Sequence, residues 1–251
     1  MDPSSLQIRQ LETLEEFSEV VGIQQEIWGF HDVELLPRRL FVVASKIGGQ
    51  VLGGYDADKL VAFCLCIPGL KPPGRSYLYS HMLGVLGPYR NTGLGRRMKL
   101  VQREFALASG VDLIEWTFDP LELKNAFFNV EKLGSIVRRF IHNQYGTTTS
   151  HLHTGLPTDR LIAEWHLRSP RVSEILGQEN ACAVSKRHAC ARISVPADIA
   201  EIRRKDPDYA RALQAEIGSE FDRYFGQGWA VTGFERTDEF GTYLLSPWES
   251  N

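Results

Sequence analysis

The sequence predicts an α/β protein of the α+β kind, in which a mixed, mostly antiparallel twisted sheet is flanked by helices. Short apolar runs bounded by turn residues alternate with stretches of helical periodicity along the chain. Three apolar runs within residues 50–86 follow one another with only turn residues between them, as in an antiparallel meander. The 251 residues, 43% of them hydrophobic, are enough to bury a sizeable core.

The first part of the chain reads as ten elements in the order β-α-α-β-β-β-α-β-α-β. Thr13 and Glu16 have the spacing of a capping box, so a helix follows the first strand. Apolar residues over 94–108 recur at intervals of three and four, which is one helical face. We expect Asp119 and Pro120 to start the last of these helices. The predicted elements cover residues 6–11, 14–28, 38–47, 50–56, 59–67, 76–86, 94–108, 112–118, 120–133 and 135–145.

The second part of the chain begins with a polar stretch at residues 147–156. Residues 159–167 read as a strand, and Asp198 and Asp206 mark the starts of two helices. The apolar runs at 229–234 and 242–246 predict a β-hairpin at the end.

The charge and hydropathy of the chain exclude several classes of protein. A formal charge of −3 gives no broad basic surface of the kind that nucleic-acid binders carry. The chain start has no basic segment followed by an apolar one, and no run of about 18 apolar residues occurs. We therefore expect a soluble, cytoplasmic protein with no nucleic-acid or membrane partner.

The four cysteines, Cys64, Cys66, Cys182 and Cys190, lack the paired spacing of a zinc site. Cys64 and Cys66 are two residues apart in an apolar run and would point to the same side of a strand. We expect buried, reduced thiols and no metal.

The stretch GPYRNTGLGRRM joins a predicted strand to a predicted helix and carries glycines between arginines. Backbone N–H groups at the start of a helix bind anions, and glycine leaves room for the ligand. A Walker loop is excluded because five residues, not four, separate Gly87 from Gly93. A dinucleotide fingerprint is excluded because Met98 stands where glycine or alanine is needed. The remaining pattern is Arg-x-x-Gly-x-Gly at residues 90–95.

This pattern resembles the coenzyme A pyrophosphate loop of the GNAT superfamily of N-acyltransferases, and residues 121–134 resemble a later helix of the same superfamily. The resemblance implies that the loop wraps the pyrophosphate of an acyl-CoA, mainly with backbone amides. It also implies that Val85 offers its backbone to the pantetheine arm and that Asn125 faces the pantetheine. The loop residues are Arg90, Asn91, Thr92, Gly93, Leu94, Gly95 and Arg96.

Further contacts to the coenzyme follow from the same resemblance. Asn129, one turn after Asn125, is expected on the same helical face. Arg97, Lys99 or Arg103 is expected near the 3′-phosphate, unless these three residues belong to a solvated helical face.

The whole chain also resembles a branch of predicted acetyltransferases that is associated with amino-acid acylation, in some cases with a succinyl donor. The resemblance implies transfer of an acetyl or other short acyl group from CoA to the amine of a small molecule. We expect residues 1–146 to form a GNAT-like acyl-CoA-binding core. Residues 147–251 would be an extension that packs on this core and completes the acceptor pocket, and we allow for a homodimer.

Acyl transfer to an amine needs a group that accepts a proton, because an ammonium has no free lone pair. His81 is expected on the same strand face as Val85, four residues later, and Glu115 lies in the neighbouring strand. Both are base candidates, against the alternatives of a hydrogen-bonded histidine and a structural ion pair. Backbone N–H groups where the two strands open would stabilise the oxyanion. The resemblance implies a tyrosine acid where Val130 stands, so Tyr145 is the substitute candidate, against a core or hairpin tyrosine.

The acceptor pocket is predicted from four residues of the second part of the chain. Arg160 and Trp165, with His151 and His153 before them, would clamp a carboxylate, since the guanidinium fork fits that group. A strand with a paired arginine is the alternative.

Two other functions stay open. One is a catalytically inactive CoA-binding sensor or interaction module, which the absence of the usual acid at Val130 favours. The other is a nucleotide-dependent enzyme, which the failed Walker and dinucleotide spacings disfavour.

Overall fold

The computed structural model describes residues 6–29, 34–146, 156–177 and 191–248. Within strand β5 (Leu113–Phe118) the chain divides into two compact units, one that ends at Glu115 and one that begins at Trp116. The division into a core and an extension near residue 146 stays a prediction.

The first unit holds a sheet in the order β1-β2-β3-β4-β5. Strands β1 to β4 pair antiparallel in chain order, which confirms the meander, and β4 pairs in parallel with β5. The elements are β1 (Gln7–Gln10), α1 (Leu14–Trp28), α2 (Arg38–Lys46), β2 (Gln50–Asp56), β3 (Lys59–Lys71), β4 (Arg75–Val85), a 3₁₀ turn (Gly87–Tyr89), α3 (Leu94–Ala108) and the start of β5.

Helices cover both faces of this sheet. Phe63 of β3 packs edge-on against Phe41 of α2, with 6.4 Å between ring centroids, and α1 lies on the same side. The preceding residue, Ala62, faces the other side, where a Cβ placed on its partner Gly54 would lie 3.4 Å from Met98 of α3. Successive side chains of a strand alternate between faces, so α1 and α2 bury one face and α3 buries the other.

The second unit holds strands in the order β7-β6-β9-β10-β8, all antiparallel where their register is described. Phe221 of α7 stacks on Phe140 of β6 and packs edge-on against Tyr243 of β10, which builds an aromatic core. After the end of β5 the elements are α4 (Leu123–Phe127), a π-helical turn (Phe128–Lys132), β6 (Ile136–Ile141), β7 (Arg160–His166), α5 (Pro170–Gly177), β8 (Ala191–Pro196), α6 (Ile199–Lys205), α7 (Pro207–Gly226), β9 (Trp229–Arg236) and β10 (Phe240–Pro247).

The fold class and the order of the first ten elements are confirmed, and three boundaries were wrong. Strand β3 continues to Lys71, four residues beyond its predicted end. The helix after β5 begins at Leu123 rather than Pro120, because an Asp119 carboxylate oxygen accepts the N–H of Leu121 at 2.8 Å and shapes a turn instead. The following strand ends at Ile141, so Tyr145 lies in a turn and not in a strand. Helix α5 and strand β8 were not predicted.

No helix within the described ranges is long and apolar enough to cross a membrane. Over the same ranges, no three His, Cys, Asp or Glu side chains are grouped as a bound metal ion would need. The cytoplasmic location, the partners and the homodimer are not tested by these observations.

Candidate functional site

The glycine-containing loop leaves the end of β4 and enters α3 through a sharp reversal. Asn91 and Gly93 both have left-handed backbone conformations, with φ of 64° and 88°. Gly93 is the N-cap of α3 and has no side chain that could accept a hydrogen bond there. The N–H groups of Leu94, Gly95 and Arg96 precede the first bond within the helix, from Arg97 to the Gly93 carbonyl, and point out of the helix start as anion donors do. A Cβ on Gly93 or Gly95 would meet open space, so a ligand has room to approach.

The arginine of the motif holds the loop in place. Arg90 Nε donates to the carbonyl of Val85 at 3.1 Å, and its Nη2 donates to the carbonyl of Ile27 at 3.3 Å. Thr92 Oγ1 donates to the carbonyl of Tyr89 at 2.7 Å. These bonds fix the loop to the end of β4 and to the last turn of α1. In this arrangement Arg90 shapes the loop, and the backbone amides are left for the anion.

The backbone of Val85 points away from β3. The N–H of Leu86 donates to the carbonyl of Val61 at 2.9 Å, so these two residues form a hydrogen-bonded pair. The next pair, Val85 and Ala62, is therefore a non-hydrogen-bonded pair, in which the N–H and C=O groups of Val85 point away from β3. By the same alternation, Leu83 presents its backbone groups on that outer side.

Within the first unit, the described pairing of β4 with β5 is at Leu78 and Tyr79, towards the other end of this outer edge. The outward groups of Leu83 and the outward N–H of Val85 lie beyond this pairing, whereas the Val85 carbonyl accepts Arg90 Nε. Backbone donors and acceptors on such an edge can pair with an extended ligand as an added strand would.

His81 follows the last described pairing of β4 with β5, at Tyr79, and lies in a bulge of β4. Cys66 of β3 stands opposite Ser80 and Leu65 stands opposite Met82, so His81 is the extra residue. This register shift breaks the period-two alternation, and the expectation that His81 and Val85 share a face by alternation was wrong. The His81 ring lies 6.1 Å from that of Tyr79. Burial lowers the pKa of His81, which favours the neutral imidazole.

Glu115 is buried and bound to a lysine. Its carboxylate forms an ion pair with Lys71, and the Lys71 ammonium lies 5.1 Å from the ring centroid of Tyr77. This geometry matches the structural alternative for Glu115. Because Lys71 occupies the Glu115 carboxylate, His81 is the better placed of the two base candidates.

The basic residues of α3 are divided between core and surface. Lys99 is buried and donates from Nζ to Ser80 Oγ at 2.9 Å, so the expectation that it lies near a 3′-phosphate was wrong. Arg97 donates to the carbonyl of Leu6 at 2.7 Å, which directs it towards the chain start. Arg96 and Arg103 are half-exposed, which leaves them as the candidates for a phosphate contact.

In the second unit, Asn125 and Asn129 have different environments. Asn125 is exposed on α4, as a ligand contact would be. Asn129 is buried in the π-helical turn, where its Oδ1 accepts the indole N–H of Trp116 at 3.2 Å. The expectation that the two residues share a ligand-facing surface was therefore wrong, because the π-turn changes the spacing. Val130 is fully buried.

Tyr145 and Arg160 lie together in the second unit. The hydroxyl of Tyr145 is 3.1 Å from Thr117 Oγ1, and the Arg160 guanidinium carbon is 5.5 Å from the Tyr145 ring centroid. Tyr145 is 44% exposed, so it is not the core tyrosine of the alternative interpretation. No sequence signal pointed to Thr117 as its partner.

Trp165 is a core residue. It is fully buried, donates from Nε1 to the carbonyl of Leu133 at 2.6 Å and packs edge-on against Trp116. The prediction that it lines an acceptor pocket was wrong, because a side chain with no exposed surface cannot contact a substrate. His151 and His153 lie outside the described residues.

Comparison with known proteins places this geometry in a known fold. No family model and no curated protein matches the sequence. Among solved structures, the ribosomal-protein-S18-alanine N-acetyltransferase from Escherichia coli matches with a TM-score of 0.52 at 17% identity, over 64% of this chain and 94% of that one. An acetyltransferase of the GNAT family from Streptococcus pneumoniae matches with a TM-score of 0.50 at 17% identity, over 63% and 98%.

A third match is a candidate acetyltransferase from Salmonella typhimurium, solved with its cofactor acetyl-CoA. Its TM-score is 0.52 at 14% identity, over 65% of this chain and 94% of that one. At these identities the likeness is one of fold. The chain has the fold of the GNAT acetyltransferases.

Proposed function

We propose that this protein is a CoA-dependent N-acyltransferase, which moves an acetyl or other short acyl group to the amine of a small molecule. Two observations in the first unit carry the proposal. Helix α3 starts at Gly93, which has no side chain to cap it, and the described pairing of β4 with β5 stops at Tyr79, before Leu83 and Val85. One feature suits a pyrophosphate and the other suits the amide groups of a pantetheine arm. The fold shared with acetyltransferases supports the same conclusion.

Each group of the first unit has a role in the proposed reaction. The amides at the start of α3 bind the pyrophosphate. The outward backbone groups of Leu83 and the outward N–H of Val85 bind the pantetheine, while the Val85 carbonyl stays bound to Arg90. A backbone N–H of this edge stabilises the oxyanion as the amine attacks the thioester carbon. Neutral His81 accepts the proton that the amine loses, and the CoA thiolate departs.

The second unit would supply the remaining roles. Exposed Asn125 would contact the pantetheine, as the resemblance implies. Tyr145, whose hydroxyl is held beside Thr117, is the candidate acid for the departing thiolate. Arg160 beside it is the candidate group for the carboxylate of an amino-acid acceptor.

A CoA-binding module without transferase activity is the second candidate function. It is favoured by Val130, a fully buried aliphatic residue where the resemblance implies a tyrosine acid. This candidate predicts CoA binding without release of the CoA thiol.

Thermal unfolding with CoA, acetyl-CoA, succinyl-CoA, ATP and NAD tests the coenzyme first. Ligand at about 100 times its Kd stabilises by about 2.7 kcal/mol, which raises the Tm by several degrees. A shift with the CoA compounds alone supports the proposal and ranks the donors. A shift with ATP or NAD and none with CoA contradicts it.

Thiol release from acetyl-CoA and succinyl-CoA then separates the two candidate functions. The acceptors are D- and L-amino acids, polyamines and peptides with a free N-terminus. Turnover with an amino acid supports a small-molecule acceptor, and turnover with peptides alone would assign a protein amine instead. CoA binding with no turnover across the panel favours the inactive module.

A further inference from the structure

A cluster of polar side chains is buried in the first unit, between β3, β4 and α3, and the proposed acyl transfer does not use it. Cys64 and Cys66 of β3 are fully buried and lie on the face that α3 covers. Ser80 of β4 and Lys99 and Gln102 of α3 are buried around them. Thiols and amines are nucleophiles, and three such groups are buried together here, which points to a chemical role for the cluster.

The contacts bring both sulfur atoms to the same nitrogen. Gln102 Nε2 donates to Cys64 Sγ at 2.9 Å and also contacts Cys66 Sγ. Lys99 Nζ donates to Gln102 Oε1 at 3.0 Å and to Ser80 Oγ at 2.9 Å. Ser80 Oγ is in turn 3.7 Å from Cys64 Sγ. The two thiols are thus neighbours, and the lysine is linked to them through one amide and one hydroxyl.

Electrostatics favours a thiolate in this cluster. A buried ammonium is costly unless a negative charge lies close to it, and the two thiols are groups that can supply one. Burial lowers the pKa of Lys99, and the nearby thiols oppose that shift. The hydrogen bond from Cys66, followed by the charge of Lys99, lowers the pKa of Cys64 to about 7 in spite of burial. Burial raises the pKa of Cys66, which keeps it a thiol.

We propose that Cys64 and Cys66 form a redox modification site, which a small peroxide oxidises to a disulfide between them. The Cys64 thiolate attacks one peroxide oxygen, which gives a sulfenic acid and releases the other oxygen as hydroxide. The Cys66 sulfur then displaces hydroxide from the sulfenic sulfur, and the S–S bond forms. In total, two thiols and one hydrogen peroxide give one disulfide and two water molecules.

Full burial selects the oxidant. Hydrogen peroxide is close to water in size, whereas a bulky disulfide reagent cannot reach fully buried sulfur atoms in the folded chain. Cα atoms two residues apart in a strand are about 6.6 Å from each other, near the upper limit for a disulfide, and the Cβ atoms of two such same-side residues are about as far apart, beyond the usual range of about 3.5–4.5 Å. The bond therefore pulls on β3 and is easily reduced again. The pull acts at Cys66, whose partner Ser80 is next to the extra residue His81 in the β4 bulge.

The test uses the full chain with Cys182 and Cys190 replaced by serine, so that the two sites of interest are the remaining thiols. The folded protein is treated with hydrogen peroxide, blocked with iodoacetamide and digested with trypsin. We expect the peptide 60–75, which contains both cysteines, to lose two hydrogens and to regain them with dithiothreitol. A second arm replaces peroxide with 5,5′-dithiobis(2-nitrobenzoate), which we expect to leave the folded protein unreacted.

Two variants test the mechanism, and a third is the control. Lys99→Met should slow the oxidation several-fold, because it removes one of the influences that lower the pKa of Cys64 and so lowers the thiolate fraction at neutral pH. Cys66→Ser should stop at the sulfenic acid of Cys64, which dimedone labels. Lys59→Met, which changes an exposed lysine of the same strand, should oxidise at the parent rate; its tryptic peptide runs from 47 to 75, because the cleavage site at residue 59 is lost. Circular dichroism confirms that each variant is folded.

Three results would overturn the proposal. The first is a peptide 60–75 that stays reduced after prolonged exposure of the folded parent protein to peroxide. The second is a gain of oxygen on one cysteine, or a link between a cysteine and Lys99, in place of the loss of two hydrogens. The third is equal oxidation of the Lys99→Met variant and the parent. None of these results depends on whether the protein transfers acyl groups.

Discussion

At the scale of single residues, the two glycines of the loop differ in why they are needed. Gly93 has a φ of 88°, so a side chain there is strained whatever the space around it. Gly95 has no such constraint, and a Cβ on it would meet open space. The motif spacing predicts both positions equally, because a sequence pattern does not report the sign of φ. The distinction decides which glycine is the better probe of the loop.

We predict that Gly95→Glu abolishes CoA binding and leaves the fold intact. The new carboxylate would stand in the space over the helix start and repel a pyrophosphate, whereas the backbone is not strained. Gly22→Glu in α1 is the matched control, since a Cβ there also meets open space. Isothermal titration with CoA, together with thermal unfolding, measures the effect. Unchanged affinity in the Gly95 variant would remove the loop from the site.

The neutral state of His81 predicts the pH dependence of the reaction. Because burial lowers its pKa below the ordinary value of 6.5, the imidazole is available as a base throughout the neutral range. We expect kcat/KM to fall only below about pH 6.5, where the imidazole becomes protonated. The His81→Gln variant should lower kcat/KM by about 10²- to 10⁴-fold and should no longer show this fall at low pH.

Glu115→Gln is the comparison for the His81 experiment. It removes the buried partner of Lys71 and should lower the free energy of unfolding, with a smaller effect on kcat/KM in the fraction that stays folded. If kcat/KM of His81→Gln still fell below about pH 6.5 and kcat/KM of Glu115→Gln did not, Glu115 would be the base and His81 would not.

At the scale of elements, the start of α1 was predicted correctly because its signal is local. Thr13 and Glu16 need only each other's backbone N–H groups, and both bonds of the capping box are present. Helix α5 has a comparable local signal. Ser169 accepts the N–H of Val172 at 3.3 Å, just before a proline at the first helical position.

Thr13→Ala tests the contribution of this cap. Loss of the side-chain oxygen leaves the N–H of Glu16 without its partner, which should cost about 1 kcal/mol of unfolding free energy. In a domain of this size that lowers the Tm by about 2–4 °C. Glu26→Ala, an exposed change near the other end of α1, should shift the Tm less. Equal shifts would show that the box adds nothing beyond helix propensity.

The elements that the sequence could not predict depend on contacts between distant residues. The bulge at His81 carries no glycine or break in the apolar pattern, and it is defined only by the register against β3. The delayed start of α4 depends on Asp119, which is also bound to Arg203, 84 residues later, at 2.8 Å. A local pattern predicts Asp119 as a helix cap because it contains no information about that partner.

At the scale of the whole molecule, the alternation and the helical periodicity of apolar residues predict the fold class. Each strand or helix buries one apolar face against the other elements, so its apolar residues recur with the period of that face. The same patterns predicted the acceptor pocket less well. Trp165 satisfied the composition of a binding site and is a core residue bound to the carbonyl of Leu133. Large aromatic side chains fit both environments, so composition alone does not separate them.

The stability of the molecule in acid depends on a buried carboxylate of the second unit. Glu164 of β7 is bound by Arg138 at 2.6 Å, by Arg139 at 3.4 Å and by His166 at 3.5 Å. Burial alone would raise its pKa, and the hydrogen bonds from His166 and Arg138 outweigh burial and lower the pKa to about 2. A bulge in β6 opposite β7 allows the consecutive residues Arg138 and Arg139 to reach the same carboxylate.

We predict that this network stabilises the fold above about pH 4.5 and that its contribution is lost as the pH falls towards about 2. A folded-state pKa below the unfolded value means that protonation favours the unfolded chain, and a shift of this size corresponds to about 3 kcal/mol. Glu164→Gln should therefore be less stable than the parent at neutral pH, with a difference that narrows in acid. Urea unfolding over this pH range measures it, with Glu216→Gln, an exposed carboxylate of α7, as the control. If the parent and Glu164→Gln curves ran parallel through the acid range, another carboxylate would govern the acid unfolding, and the ion pairs of Glu164 would add little to the stability of the molecule.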